Sequence, residues 1–222
     1  MAKLPTFLVL ACVLSVASPA AATEWVGSSA ILAHQVFRVQ MQGPQGSGIC
    51  SAVVIDIDKD GLASALTAAH CVDHAPTEHF DITVDGRTAT AMTFNRILDL
   101  AIVQFRPRAG TRTMLLAAES PATGSEIAVA GFAFGIEDIA VQFGHVAQTF
   151  NKETKALWAD ARIIFGDSGG ATVDATGHLV GITTRLFQQQ SANMGGIVPI
   201  ETVQDFVDDF KETLRKQAEN KK

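Results

Sequence analysis

The feature that most constrains this chain is a succession of short runs rich in Val, Ile, Thr and Phe, each bounded by Gly, Pro, Asn or Asp. In the first half they cover Val36–Met41, Ser51–Ile57, Ala63–Leu66, Asp81–Val84, Thr88–Phe94 and Leu100–Phe105. After a polar break at Arg106–Thr113 come Glu126–Gly131, Ile139–Phe143, His145–Thr149, Leu157–Arg162, Ala171–Val173, Leu179–Thr184 and Gly196–Pro199. Runs of this length and composition read as strands. Asp85-Gly86 and Thr176-Gly177 supply turn chemistry between neighbours. Many short strands with regular turns predict an all-β barrel or sandwich. Beyond Pro199 the period changes: Val203, Phe206, Val207, Phe210 and Leu214 fall at helical spacing. One helix over Glu201–Lys216, with a buried apolar stripe, is expected there.

Of 222 residues, 47% are hydrophobic and 18% charged, which supports a packed core and argues against disorder. The net charge is −6, and no basic block lies outside the C-terminal tail. A nucleic-acid partner therefore has no electrostatic footprint. Residues 1–22 have the layout of a secretory signal peptide: Lys3, an apolar run from Phe7 to Val16, then Ala20 and Ala22 before Thr23. The run is too short to span a bilayer and breaks at Pro19, so no membrane anchor is expected after cleavage. The expected destination is secreted or periplasmic. Cys12 would leave with the signal, and Cys50 and Cys71 remain. Two cysteines in an exported chain suggest one disulfide, worth roughly 3 kcal/mol. Two free buried thiols are the alternative.

Three stretches carry chemistry: Thr67-Ala68-Ala69-His70-Cys71, Asp99-Leu100-Ala101 and Gly166-Asp167-Ser168-Gly169-Gly170. Each alone has a bland reading as a surface or turn segment. Together they meet the requirements of one mechanism. A serine hydroxyl is a weak nucleophile and needs a base in contact. Histidine suits that task near neutrality. The imidazole needs an acceptor on its far side, which an Asp supplies. A developing oxyanion needs backbone N–H donors, and glycines let a loop aim them inward.

TAAHC, DLA and GDSGG, in that order, resemble the signature of the trypsin/chymotrypsin family of serine proteases. The resemblance spans roughly Gln35 to Val203. It implies that His70 is the general base and then acid, Asp99 its orienter and Ser168 the nucleophile. It implies an oxyanion hole from the N–H groups of Gly166 and Ser168, and a Cys50–Cys71 disulfide beside His70. Thr176–Thr184 and Gly195–Ile200 resemble the corresponding strands of bacterial members, including Deg-type periplasmic proteases. With 54 residues following Ser168, no appended PDZ domain is expected. The implied fold is two six-stranded antiparallel β-barrels, residues 35–113 and 114–199, between an N-terminal segment (23–34) and a C-terminal helix and tail (200–222).

In the pocket for the side chain before the scissile bond, Arg162 stands where trypsin-like members carry an acidic residue, with Thr184 and Leu186 completing the lining. A preference for Lys or Arg is not expected. Arg162 favours acidic side chains if it points inward; if it turns to solvent, small or medium apolar ones fit. In family zymogens a freed N-terminus pairs with the Asp beside the nucleophile, here Asp167. Thr23 would be such a terminus; the alternatives are a side-chain partner or an Asp167 left to solvent. His34, His74, His79, His145 and His178 fall in polar settings. His74 and His79 lack the surrounding ligands of a metal site, and no metal or cofactor is implied. The expected function is exported serine endopeptidase acting on protein or peptide substrates. The alternatives are a catalytically silent binding protein on the same fold and an esterase. The oligomeric state has no signal in the sequence.

Overall fold

The computed structural model describes residues 29–44, 46–73, 80–151, 156–186 and 194–220. The proposed signal peptide, His74 and His79 lie outside the described residues.

Alternating buried and solvent-facing side chains give the strands their form. In β1 (Val36–Gly43), Val36, Phe37 and Val39 are buried, while Arg38 and Gln40 are only partly so. Such alternation places one side of a pleated strand on a core. β1 pairs antiparallel with β2 (Gly46–Ile57), Val39 opposite Cys50. β3 (Ala63–Thr67), β4 (Asp81–Val84), β5 (Arg87–Asn95) and β6 (Leu100–Phe105) complete the first sheet. Its order is β1-β2-β3-β6-β5-β4, and β4 returns to β1 to close a six-stranded barrel. The Asp85-Gly86 turn between β4 and β5 has both residues at positive φ, 52° and 71°, as the sequence pattern requires.

A second closed barrel holds β7 (Glu126–Gly131), β8 (Ala140–Asn151), β9 (Ala156–Ala159), β10 (Ala171–Val173), β11 (Leu179–Leu186) and β12 (Gly195–Pro199), in the order β10-β11-β12-β9-β8-β7. Every strand pairing is antiparallel. The two runs expected at 139–143 and 145–149 are one strand. Gly144 is not a turn there: it pairs with Ile127, and a Cβ on it would come 2.5 Å from the Ala161 nitrogen.

Three apolar clusters hold the architecture. One fills the first barrel around Phe37, Val39, Val54 and Phe105. Another fills the second around Ile127, Val129, Leu157 and Ile197. The third joins the barrels: Val53, Leu66, Leu100 and Ile102 from the first meet Ala128, Val173, Ile182 and Val198 from the second. Helix α2 (Ile200–Glu219) closes this third cluster with Val203, Phe206, Val207 and Phe210, four of the five apolar positions predicted; α1 (Ser29–Leu32) adds Leu32. No helix among the described residues is long and apolar enough to cross a membrane.

The start of α2 is pinned by Glu201, whose carboxylate accepts the Ser120 N–H at 2.7 Å and hydroxyl at 2.6 Å. Partial burial pushes this carboxyl up, but the Ser120 hydroxyl, the Ser120 N–H and its own N–H outweigh that and hold it below the usual Glu value. A carboxyl lowered in the folded state contributes stability above its unfolded pKa and loses it as pH falls through the folded one. Because the carboxyl is largely exposed and water screens it, Glu201→Ala should cost only about 0.5 kcal/mol at neutral pH, from loss of its hydrogen bonds to Ser120. The difference from wild type should vanish in acid, as thermal melts across a pH series would read.

Candidate active site

His70 sits in a one-turn 3₁₀ segment (Ala69–Cys71) directly after β3. Asp99 closes the turn before β6, the strand that pairs with β3 and sets Thr67 opposite Ala101. The turn is shaped by Asn95, whose side-chain oxygen accepts the N–H groups of Ile97 at 2.9 Å and Leu98 at 3.1 Å. Asp99 itself adopts φ 55°, a left-handed conformation uncommon outside glycine and favoured by Asn and Asp. Arg96, from the same turn, reaches back to Asp73 with Nε 2.8 Å from Oδ2, tying the two segments together.

The result is a two-point contact. One Asp99 oxygen accepts the His70 backbone N–H at 3.0 Å, and His70 Nδ1 lies 3.0 and 2.9 Å from the two carboxylate oxygens. Asp99 is 7% exposed, while the His70 side chain is 48% exposed. An ionised carboxylate can only accept, so in this pair Nδ1 is the donor.

Ser168 comes from the loop between β9 and β10 in the second barrel. It is half-buried, and its carbonyl accepts the Ser51 N–H of β2 at 2.8 Å. The next residue, Gly169, has φ 80° and packs so tightly that a Cβ would come 2.2 Å from the Ser51 carbonyl oxygen, 2.3 Å from Thr67 Oγ1 and 2.8 Å from the Ala68 nitrogen. The loop thus lies against the two residues that lead into the His70 turn. Among the described residues the Ser168 hydroxyl makes no hydrogen bond to the imidazole; such bonds are often long before substrate arrives.

Among the described residues neither the Gly166 nor the Ser168 N–H donates to a protein acceptor. Gly166 has φ 99°, a glycine conformation, and the preceding carbonyl, of Phe165, is turned away to accept the Phe134 N–H at 2.6 Å. Its neighbour Asp167 is fully buried, which pushes its carboxyl up despite hydrogen bonds from the Ile164 N–H and the Gln142 amide.

Sequence reading missed Ser51, which is fully buried at the junction. Its hydroxyl donates to the Gly166 carbonyl at 2.8 Å and accepts the Phe132 N–H at 2.9 Å, while its own carbonyl accepts the Thr67 hydroxyl at 2.8 Å. A polar residue directly after Cys50 and ahead of an apolar run was the only signal. Cys50 and Cys71 are joined, with Cα atoms 6.3 Å apart, and with His70 their ligand atoms lie within 4.8 Å of one another. Of the proposed pocket residues, Thr184 is 6% exposed and the Arg162 side chain is exposed to solvent. Leu186 ends β11, and its side chain lies outside the described residues. His34 and His145 are exposed; His178 is half-buried, with Nδ1 2.8 Å from the Thr176 hydroxyl.

Two closed six-stranded antiparallel barrels, with the His70–Asp99 contact in the first and the Gly166–Gly170 loop of the second packed against Thr67 and Ala68, define a two-barrel all-β protein. The trypsin-like peptidase domain family matches residues 46–182, and the chain belongs to that family. It is 26% identical over 204 residues to mouse serine protease HTRA4, covering 87% of this chain and 41% of that protein. It is 27% identical over 169 residues to the periplasmic serine endoprotease DegP of Escherichia coli K12, covering 69% of this chain and 35% of DegP. The chain therefore spans well under half the length of these relatives. The crystal structure of a serine endoprotease from Yersinia pestis shares the fold, with a TM-score of 0.68 at 20% identity over 82% of this chain and 65% of that one.

Ser51→Ala would leave the Gly166 carbonyl and the Phe132 N–H without their buried partner. It should destabilise the protein by about 1–3 kcal/mol, read as a lower midpoint in urea with an unchanged slope.

Proposed function

We propose that this protein is an exported serine endopeptidase that cleaves protein or peptide substrates through an acyl-enzyme. The observation that carries the reading is the Asp99 contact to both the backbone and ring nitrogens of His70, made beside a serine loop whose N–H groups at 166 and 168 have no protein acceptor among the described residues.

In this reading the Ser168 hydroxyl attacks the scissile carbonyl while His70 Nε2 takes its proton. Asp99 holds the ring and stabilises the imidazolium that forms. The negative charge on the former carbonyl oxygen is met by the Gly166 and Ser168 N–H groups, fixed before the reaction and therefore free of reorganisation cost. Collapse expels the amine, which takes the proton from His70 and leaves an ester on Ser168. Water then repeats the sequence with His70 as base, and the acid product departs.

The solvent-facing Arg162 supports a pocket for small or medium apolar side chains rather than acidic ones. A peptide-library cleavage profile should show no gain for Asp or Glu before the scissile bond, and none for Lys or Arg. The N-terminal segment of residues 1–22 supports export, and the relative from Escherichia coli is periplasmic by name.

A fluorophosphonate probe should label the wild-type protein at Ser168, and Ser168→Ala should abolish the labelling. On a cleaved peptide, Ser168→Ala or His70→Ala should lower turnover by about 10⁴–10⁶. A folded wild-type protein that never labels would sink the proposal.

A further inference from the structure

Asp167 lies between the two residues whose N–H groups face the expected oxyanion, so whatever holds its carboxylate holds that loop. The side chain is fully buried. Its Oδ2 accepts the Ile164 N–H at 3.0 Å and the Gln142 side-chain amide at 3.0 Å. Among the described residues its Oδ1 has no hydrogen-bond partner, and it lies 2.8 Å from where a Cβ on Gly131 would sit, so the wall of β7 closes tightly over it. No charged side chain among the described residues pairs with Asp167 or shifts its titration; burial, Ile164 and Gln142 are the influences on it.

The two donors are not equivalent. Ile164 is three residues upstream, so its bond only closes the loop on itself. Gln142 belongs to β8, paired with β7 opposite Val129 in the closed barrel. It is the anchor that ties Asp167 to the frame. From this geometry, and resting on the serine-hydrolase reading above, we infer that Gln142 is a positioning residue for the oxyanion loop. Its neutral amide does the task that the family resemblance would assign to an N-terminal ammonium. The Gly166-Asp167-Ser168 turn is then held from two sides, by Ser51 at the Gly166 and Ser168 carbonyls and by Gln142 at the Asp167 carboxylate. Neither hold depends on a free amino terminus.

The test separates a donor from a space-filler. Gln142→Glu and Gln142→Leu keep the size of the side chain but remove the N–H donor, whereas Gln142→Lys keeps a donor. The first two should lower kcat about 10- to 100-fold with KM changed less than about threefold, since the loss falls on oxyanion stabilisation. Gln142→Lys should retain kcat within about threefold. Hydrogen exchange of peptides covering 163–170 should rise in the Glu and Leu variants and not in the Lys variant. A short extension added to the mature amino terminus should leave kcat unchanged. Wild-type kcat and wild-type exchange in Gln142→Glu would overturn the inference, as would loss of activity on extending the amino terminus. If wild type fails to react with fluorophosphonate, the functional reading falls, and the exchange measurement still decides whether Gln142 holds the loop.

Discussion

One buried serine joins the halves of this molecule at the place where chemistry is expected. Ser51 lies in a strand of the first barrel, yet its N–H, hydroxyl and carbonyl reach Ser168, Gly166, Phe132 and Thr67. A buried hydroxyl with matched donor and acceptor contributes far more through what its loss would expose than through its net bond strength. Here the exposed groups would be the Gly166 carbonyl and the Phe132 N–H beside the Ser168 loop. His70 approaches from the end of β3 and Asp99 from the start of β6, so their register is set by ordinary strand pairing. The serine has no such ladder to His70, and Ser51 takes its place.

The fold was legible because strands and helix each declare themselves locally. Period-two alternation in β1 and β5, the Asp85-Gly86 turn and the stripe from Val203 to Phe210 all appear where the residues require them. The departures within the sheets share one cause, the partner strand. Gly46 to Cys50 has weak strand composition, yet it extends β2 because β1 pairs along it from Gly43 to Val39. Gly144 reads as a break, yet it continues β8 because only a glycine fits against Ala161. The helix reaches Glu219, past the expected Lys216; residues 215–219 are exposed, so no apolar period marked that extension in the sequence.

The site was legible to the extent that its chemistry sits in contiguous motifs. TAAHC, DLA and GDSGG carry their meaning in a few adjacent residues, and the structure brings the three segments to one junction. The supporting residues carry no such mark. Gln142 looks like one polar position in an alternating strand, and Ser51 like a small residue after a cysteine. Each gains its role only when a distant segment folds onto it, 25 residues away for Gln142 and 115 for the hydroxyl of Ser51. Asp167 stood out in the sequence, but its partner could not be chosen there between a chain terminus and a side chain.

The apolar cluster between the barrels bears on how this protein comes apart. Leu66 and Ile102 from one barrel, Val173 and Ile182 from the other, and Phe206 from the terminal helix share a single interior. Melting either barrel alone would strip water-excluding cover from the remaining one, so the halves lose their independence as thermodynamic units. Heat or denaturant should meet one cooperative whole, in which both barrels and the helix that covers their junction are lost at the same moment.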